Sequence, residues 1–221
     1  MSKESRDRIF SRLHAALNQA TDPNTHPPEM PIKAVDQKEK IAKLKTLMEA
    51  MRTEVFTTPA QNWTMVLEDI LKNRKIRNLL YSPQTEIGRA LELKMKNSTQ
   101  GLPQLIPYDD NIEQLKEMVF NVDAGITSAA GAIAETGALI LWPTQEEPRL
   151  MSIVPSIHIA ILQADTIHNS LSEVIHNENW SQKMPTNIVL ISGPSKTADI
   201  EMTLAFGVHG PRELIVLIVE N

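Results

Sequence analysis

No cysteine occurs among the 221 residues of this chain. That absence excludes disulfides, thiolate zinc sites, thiol nucleophiles and cysteine-ligated iron–sulfur clusters within the chain itself. No apolar run approaches the ~20 residues that span a bilayer. The opening stretch, MSKESRDRIFSRLHAAL, is too charged to hold a secretory apolar segment, so a cytoplasmic protein without a membrane span is expected. Positive charge is in the minority: 22 Lys and Arg stand against 27 Asp and Glu, for a net charge of -5. A surface of that sign repels a phosphate backbone, and nucleic acid is not an expected partner. The histidines (His14, His26, His158, His168, His176, His209) show neither HxxxH nor HExxH spacing, so no metal site is expected.

What is present reads as one globular core with an appendage. The apolar and charged shares, 42% and 22%, are those of an ordinary folded domain. Ile9, Leu13, Ala16, Leu17 and Ala20 recur at helical spacing and predict an amphipathic arm. The following TDPNTHPPEMP carries four prolines in eleven residues, which removes backbone donors and breaks any helix. Residues 1–33 are therefore expected to form a helix and Pro-rich linker, and residues 34–221 an α/β domain.

Within that domain helix and strand signals alternate. Ile41, Leu44, Leu47, Met48 and Met51 mark a helix, Val55 and Phe56 a strand, and Thr58 to Gln61 a capping box before the stripe Trp63, Val66, Leu67, Ile70, Leu71. Asn78 to Tyr81 predicts a strand, Ser82 and Pro83 a helix start, Leu105 to Pro107 a strand, and Asp109 or Asp110 the cap of a helix carrying Ile112 and Leu115. Four continuous apolar runs follow: Ala138 to Trp142, Ile157 to Leu162, Ile188 to Ile191 and Leu214 to Val219. Without polar alternation they read as parallel strands covered by helices on both faces, one crossover helix starting near Asp165. The expected architecture is a three-layer α/β fold with a mostly parallel sheet.

Three polar loops are the candidate site. Ser192, Gly193, Pro194, Ser195, Lys196, Thr197, Asp199 and Glu201 follow a buried strand, and their hydroxyls, ammonium and N–H groups suit a phosphate or carboxylate. Walker A spacing is not met, because Ser195 rather than glycine precedes Lys196. Glu135, Thr136 and Gly137 stand directly before a strand. There a carboxylate serves as nucleophile, general base or ligand clamp, or simply as an exposed hairpin residue. His209 and Gly210 lie in GVHGP, a tight turn before the last strand, where a histidine titrates or donates to an anion. His158 reads as a hydrogen-bonded core histidine, and Arg149 as a residue that faces the cleft or solvent. The three loops are expected to converge at strand ends into one anion-accepting cleft.

In order, AETGALIL with Glu135, PSIHIAIL with His158, ISGPSKTADIE, and GVHGP resemble the LutC/YkgG lactate-utilisation family, also called the LUD domain, over residues 34–221. The resemblance implies a NagB/RpiA/CoA-transferase-like fold. It also implies a part in oxidising L-lactate to pyruvate beside iron–sulfur partner proteins, with no redox centre in this chain. The alternative, drawn from relatives of that fold, is a stand-alone enzyme or binding protein for a CoA ester, sugar phosphate or other organic anion. Glu135 in Glu-Thr-Gly is similar to the glutamate of CoA-transferases, but no accompanying oxyanion-hole glycine motif is evident.

Overall fold

A strand whose neighbouring side chains are nearly all apolar must be covered on both sides, and two interior strands of the main sheet meet that condition. In β7 (Ile157–Gln163), Ile159 and Ile161 belong to one buried cluster, while Ala160 and Leu162 belong to another. In β12 (Glu213–Glu220), Ile215, Leu217 and Val219 alternate in the same way with Leu214, Val216 and Ile218. The computed structural model describes residues 3–19, 35–96, 101–108, 119–180, 187–198, 204–206 and 209–221. It separates two units, Met1–Ala34 and Val35–Asn221.

The first unit contains helix α1 (Lys3–Gln19), along which Ile9, Phe10 and Leu13 are exposed. The Arg6 guanidinium lies 5.5 Å from the Phe10 ring centroid. No helix among the described residues is long and apolar enough to cross a membrane.

The second unit is built on six parallel strands. With β1 (Glu54–Pro59), β2 (Asn78–Tyr81), β3 (Gln104–Pro107) and β4 (Ala124–Ala129), the order across the sheet is β1-β12-β7-β4-β2-β3. Helices α3 (Trp63–Asn73) and α4 (Glu86–Lys96) cover one face through Leu67, Ile70, Leu71 and Leu91. Helix α2 (Gln37–Ala50) covers the other through Leu44 and Met48. Beside α2 lies a second sheet of β5 (Gly131–Ile133), β6 (Ala138–Leu141), β8 (Ile167–His168) and β9 (Val189–Ile191), in the order β8-β5-β6-β9. A further hairpin pairs β10 (Lys196–Ala198) with β11 (Leu204–Phe206).

The three layers and the mostly parallel sheet agree with the expectation, but two of the four apolar runs do not enter the parallel sheet. β6 and β9 pair antiparallel, Leu139 opposite Ile191. β6 is nevertheless buried on both faces, since Leu139 and Leu141 join the cluster against the main sheet while Ile140 packs with Ile133, Val174 and Trp180 on the outer side. Burial on two faces marks a sandwiched strand and carries no strand direction.

Local starts also differ. Thr58 and Pro59 remain in β1, and α3 begins at Trp63 behind Asn62. α4 begins at Glu86, where the Thr85 hydroxyl accepts from Gly88 N–H at 3.0 Å. Near Asp165 there is a single 3₁₀ turn, then β8. The helix there, α6 (Leu171–Asn177), follows Ser170, whose hydroxyl accepts from Glu173 N–H at 3.2 Å, while the Glu173 carboxylate accepts from Asn169 N–H at 2.6 Å. Ser-x-x-Glu is a legible capping signal. The expected helix around Ile112 and Leu115 lies outside the described residues.

Two glycines let the layers close. A Cβ on Gly125 in β4 would meet Met151 O at 2.5 Å, so this glycine admits α5 (Leu150–Ile153) against the sheet. Gly137, at φ +64°, would bring a Cβ within 2.5 Å of Leu47 Cβ on α2. Gly137→Ala combines a left-handed backbone, costing roughly 1–2 kcal/mol for a residue with a Cβ, with overpacking of roughly 1–3 kcal/mol. The expected result is a stability loss of about 2–5 kcal/mol in chemical denaturation, and an unchanged midpoint would refute this packing.

Candidate functional site

The two edges of the parallel sheet can be told apart from α2. Gln37 at its start donates through Nε2 to Ala164 O beyond the end of β7, and Met51 at its close leads into β1. The close of α2 therefore lies at the amino edge. A Cβ on Gly193 would meet Met51 O at 2.8 Å, and one on Gly137 meets Leu47. Leu47 and Met51 are one helical turn, about 5.4 Å, apart. The Glu135–Gly137 turn and the Ser192–Pro194 turn thus sit side by side on α2. Ser195 N–H donates to Pro211 O at 2.8 Å, and a Cβ on Gly210 would lie 3.1 Å from Ser195 Cβ.

The amino edge thus gathers Gly137, Ser192 to Ser195 and Gly210. Glu135 and Thr136 are exposed at the hairpin tip, and Glu135 N–H donates to Asn169 O at 3.1 Å. Lys196 and His209 are exposed, and Thr197 lies in β10 opposite Ala205. Asp199 and Glu201 lie outside the described residues. The convergence is at the edge opposite the one where open parallel sheets collect ligands. Its cause is the small sheet: β5 turns back from the carboxyl end of β4, so the β5–β6 tip and the exit of β9 point to the amino edge.

At the carboxyl edge the chain builds a different site. The connections β1 to β2 to β3 step one way across the sheet and β4 to β7 to β12 step the other, so the order reverses between β2 and β4. β2 pairs with β4 only at Leu79–Ala124 and Leu80–Gly125, which leaves the end of β4 without a neighbour on that side. A carboxylate fills the gap. Ser128 N–H donates to both Glu147 oxygens at 3.1 Å, and the Ser128 hydroxyl donates to Glu147 as well. Thr144 fixes the turn, its hydroxyl accepting from Glu147 N–H at 3.0 Å.

Burial pushes the Glu147 carboxyl above the ordinary range, against the opposing pull of the Ser128 hydrogen bonds. Its neighbour Glu146 is shifted the other way, by its own backbone N–H and the Thr144 hydroxyl. Arg149, Ser152, Thr127 and Trp142 complete the crevice, whose free space of about 10 Å³ suits one water molecule. An organic acid needs Trp142 or the turn at Pro143–Pro148 to move. Glu147 is not singled out by the sequence, because a Glu-Glu-Pro-Arg run looks like a solvated turn.

His158 is fully buried, with Nε2 2.9 Å from Thr127 Oγ1 and no hydrogen-bond partner for Nδ1 among the described residues. Burial lowers its pKa to about 4. The unfolded ring, at about 6.5, binds the proton more tightly, so His158 adds stability above pH 6.5 that is lost as pH falls through 4. The full effect is on the order of 3 kcal/mol. Wild type should lose stability relative to His158→Gln as pH drops from 7 to 4, whereas parallel profiles in thermal unfolding would contradict the assignment.

The LUD domain family model matches residues 41–219. An uncharacterized protein of Neisseria meningitidis serogroup B is 34% identical over 193 residues, covering 86% of this chain and 82% of that protein. Lactate utilization protein C of Halalkalibacterium halodurans is 38% identical over 183 residues, covering 77% and 75%. The crystal structure of a DUF162 family protein from Deinococcus radiodurans aligns with a TM-score of 0.59 at 20% identity, over 84% of this chain and 99% of that one, which supports the fold. With most of its α/β domain matched by one family model, this chain belongs to the LUD domain family.

Proposed function

We propose that this protein is a non-redox component of a lactate-oxidising system. The observation that carries the reading is its 38% identity, over three quarters of both chains, to a protein named Lactate utilization protein C. In the reaction L-lactate gives up two electrons and two protons to become pyruvate, and the electrons pass to iron–sulfur clusters held by partner proteins. A chain without cysteine supplies no thiolate ligands for such a cluster. Its contribution in this reading is to hold the organic acid or the cluster-bearing partners.

The anion contact is assigned to the amino-edge group. Lys196 supplies the charge, the Ser192 and Ser195 hydroxyls and the His209 ring supply donors, and Gly137, Gly193 and Gly210 allow close approach. Pro194 holds the turn, and Glu135 with Thr136 orients the acid. The stand-alone acyl-transfer alternative gains little support, since no oxyanion-hole glycine motif accompanies Glu135.

Deleting the gene in a strain without another lactate dehydrogenase tests the reading. Growth on L-lactate as sole carbon source should fail while growth on pyruvate continues. The wild-type gene should restore growth, and Lys196→Ala should restore it slowly. Equal growth of deletion and parent on lactate would overturn the proposal.

A further inference from the structure

Between α6 and the outer face of the small sheet lies a cavity of about 190 Å³, far above the roughly 10–15 Å³ that one water requires. Its floor is the β5–β6 surface at Gly131 and Ile140, and its walls are Trp142 and Trp180. The two rings meet edge to face, centroids 5.7 Å apart and planes at 66°, so they form an aromatic corner rather than a closed stack. Two walls of a small-molecule chamber are thus π surfaces.

The charged groups around it are mostly of one sign. Glu178 lines the cavity with its carboxylate 3.6 Å from His168 Nε2, and Glu173 approaches His168 Nδ1 at 4.0 Å from behind. Lys40 sits 3.6 Å from Glu173 and offsets that carboxylate. The Glu178 side chain is more than half exposed, and among the described residues that line the cavity there is no Lys or Arg. Aromatic faces attract cations, and a carboxylate beside them adds to the attraction. Among the described lining residues an organic anion such as lactate meets the Glu178 carboxylate and neither Lys nor Arg.

From this combination we propose that the cavity binds a small organic cation, an amine on an apolar body, with the apolar part against Ile140 and the tryptophans and the ammonium toward Glu178. This site is separate from the anion contact at the amino edge, and it stands whether or not the protein serves lactate oxidation.

The test titrates the full chain with benzylammonium chloride while tryptophan fluorescence is followed in a Trp63→Phe background, which leaves Trp142 and Trp180 as reporters. Saturable change is expected with benzylammonium, at least tenfold weaker binding with benzyl alcohol, and weaker still with benzoate. Glu178→Gln, at an exposed position, should weaken benzylammonium binding five- to tenfold without moving the melting temperature. Trp180→Leu should abolish it. No saturable change, equal binding of benzoate or benzyl alcohol, or an unaltered Glu178→Gln variant would each overturn the assignment.

Discussion

Two-sided burial of β7 and β12 is the constraint on which the rest of the domain depends. Each side chain from Leu214 to Val219 and from His158 to Leu162 is removed from water, and burying a Leu, Ile or Val contributes roughly 1.5–3 kcal/mol only if both faces are covered. Helices α3 and α4 supply one cover. On the other side one helix, α2, does not suffice, and the small sheet of β5, β6, β8 and β9 completes it. Gly125 and Gly137 then follow as necessities, since side chains there would hold α5 and α2 away.

The same cover decides where polar groups come together. β5 folds back over the sheet and β6 returns, so residues close in sequence are sent to opposite edges: Glu135 to the amino edge, Ser128 and Trp142 to the carboxyl edge. Trp142 has a place in two sites. It walls the crevice that holds Glu147 and, with Trp180, the cavity beside His168 and Glu178. Movement of that one ring would change both volumes, a physical link between an acid-bearing crevice at the strand-order reversal and the proposed cation chamber.

Much of the fold was legible because hydrophobic spacing reports burial. Asn78 to Tyr81 was bounded by its four residues alone, and the stripe Leu44, Met48 identified the face of α2 that meets the core. His158, flanked by isoleucines, was rightly read as a hydrogen-bonded core residue. Direction was not legible: Ala138 to Trp142 and Ile188 to Ile191 carry the composition of parallel strands but pair antiparallel, since their burial comes from a second sheet. Thr58 to Gln61 has the letters of a capping box, yet pairing of β1 with β12 through Pro59 holds those residues in strand. For the site, glycine and hydroxyl density located loops that meet on α2, whereas Glu147 was missed because adjacent Glu146 and Glu147 are indistinguishable until the end of β4 claims one of them.

As proposed, this chain serves L-lactate oxidation without carrying electrons itself. The most direct measurement mixes L-lactate with the purified iron–sulfur partner proteins, with and without this chain, and follows cluster reduction by absorbance and EPR together with pyruvate formed. Lactate-dependent reduction and pyruvate are expected only when the chain is present, at about one pyruvate per two electrons, with every signal assigned to the partners. Full rates without the chain, or a redox signal arising from the chain alone, would contradict it.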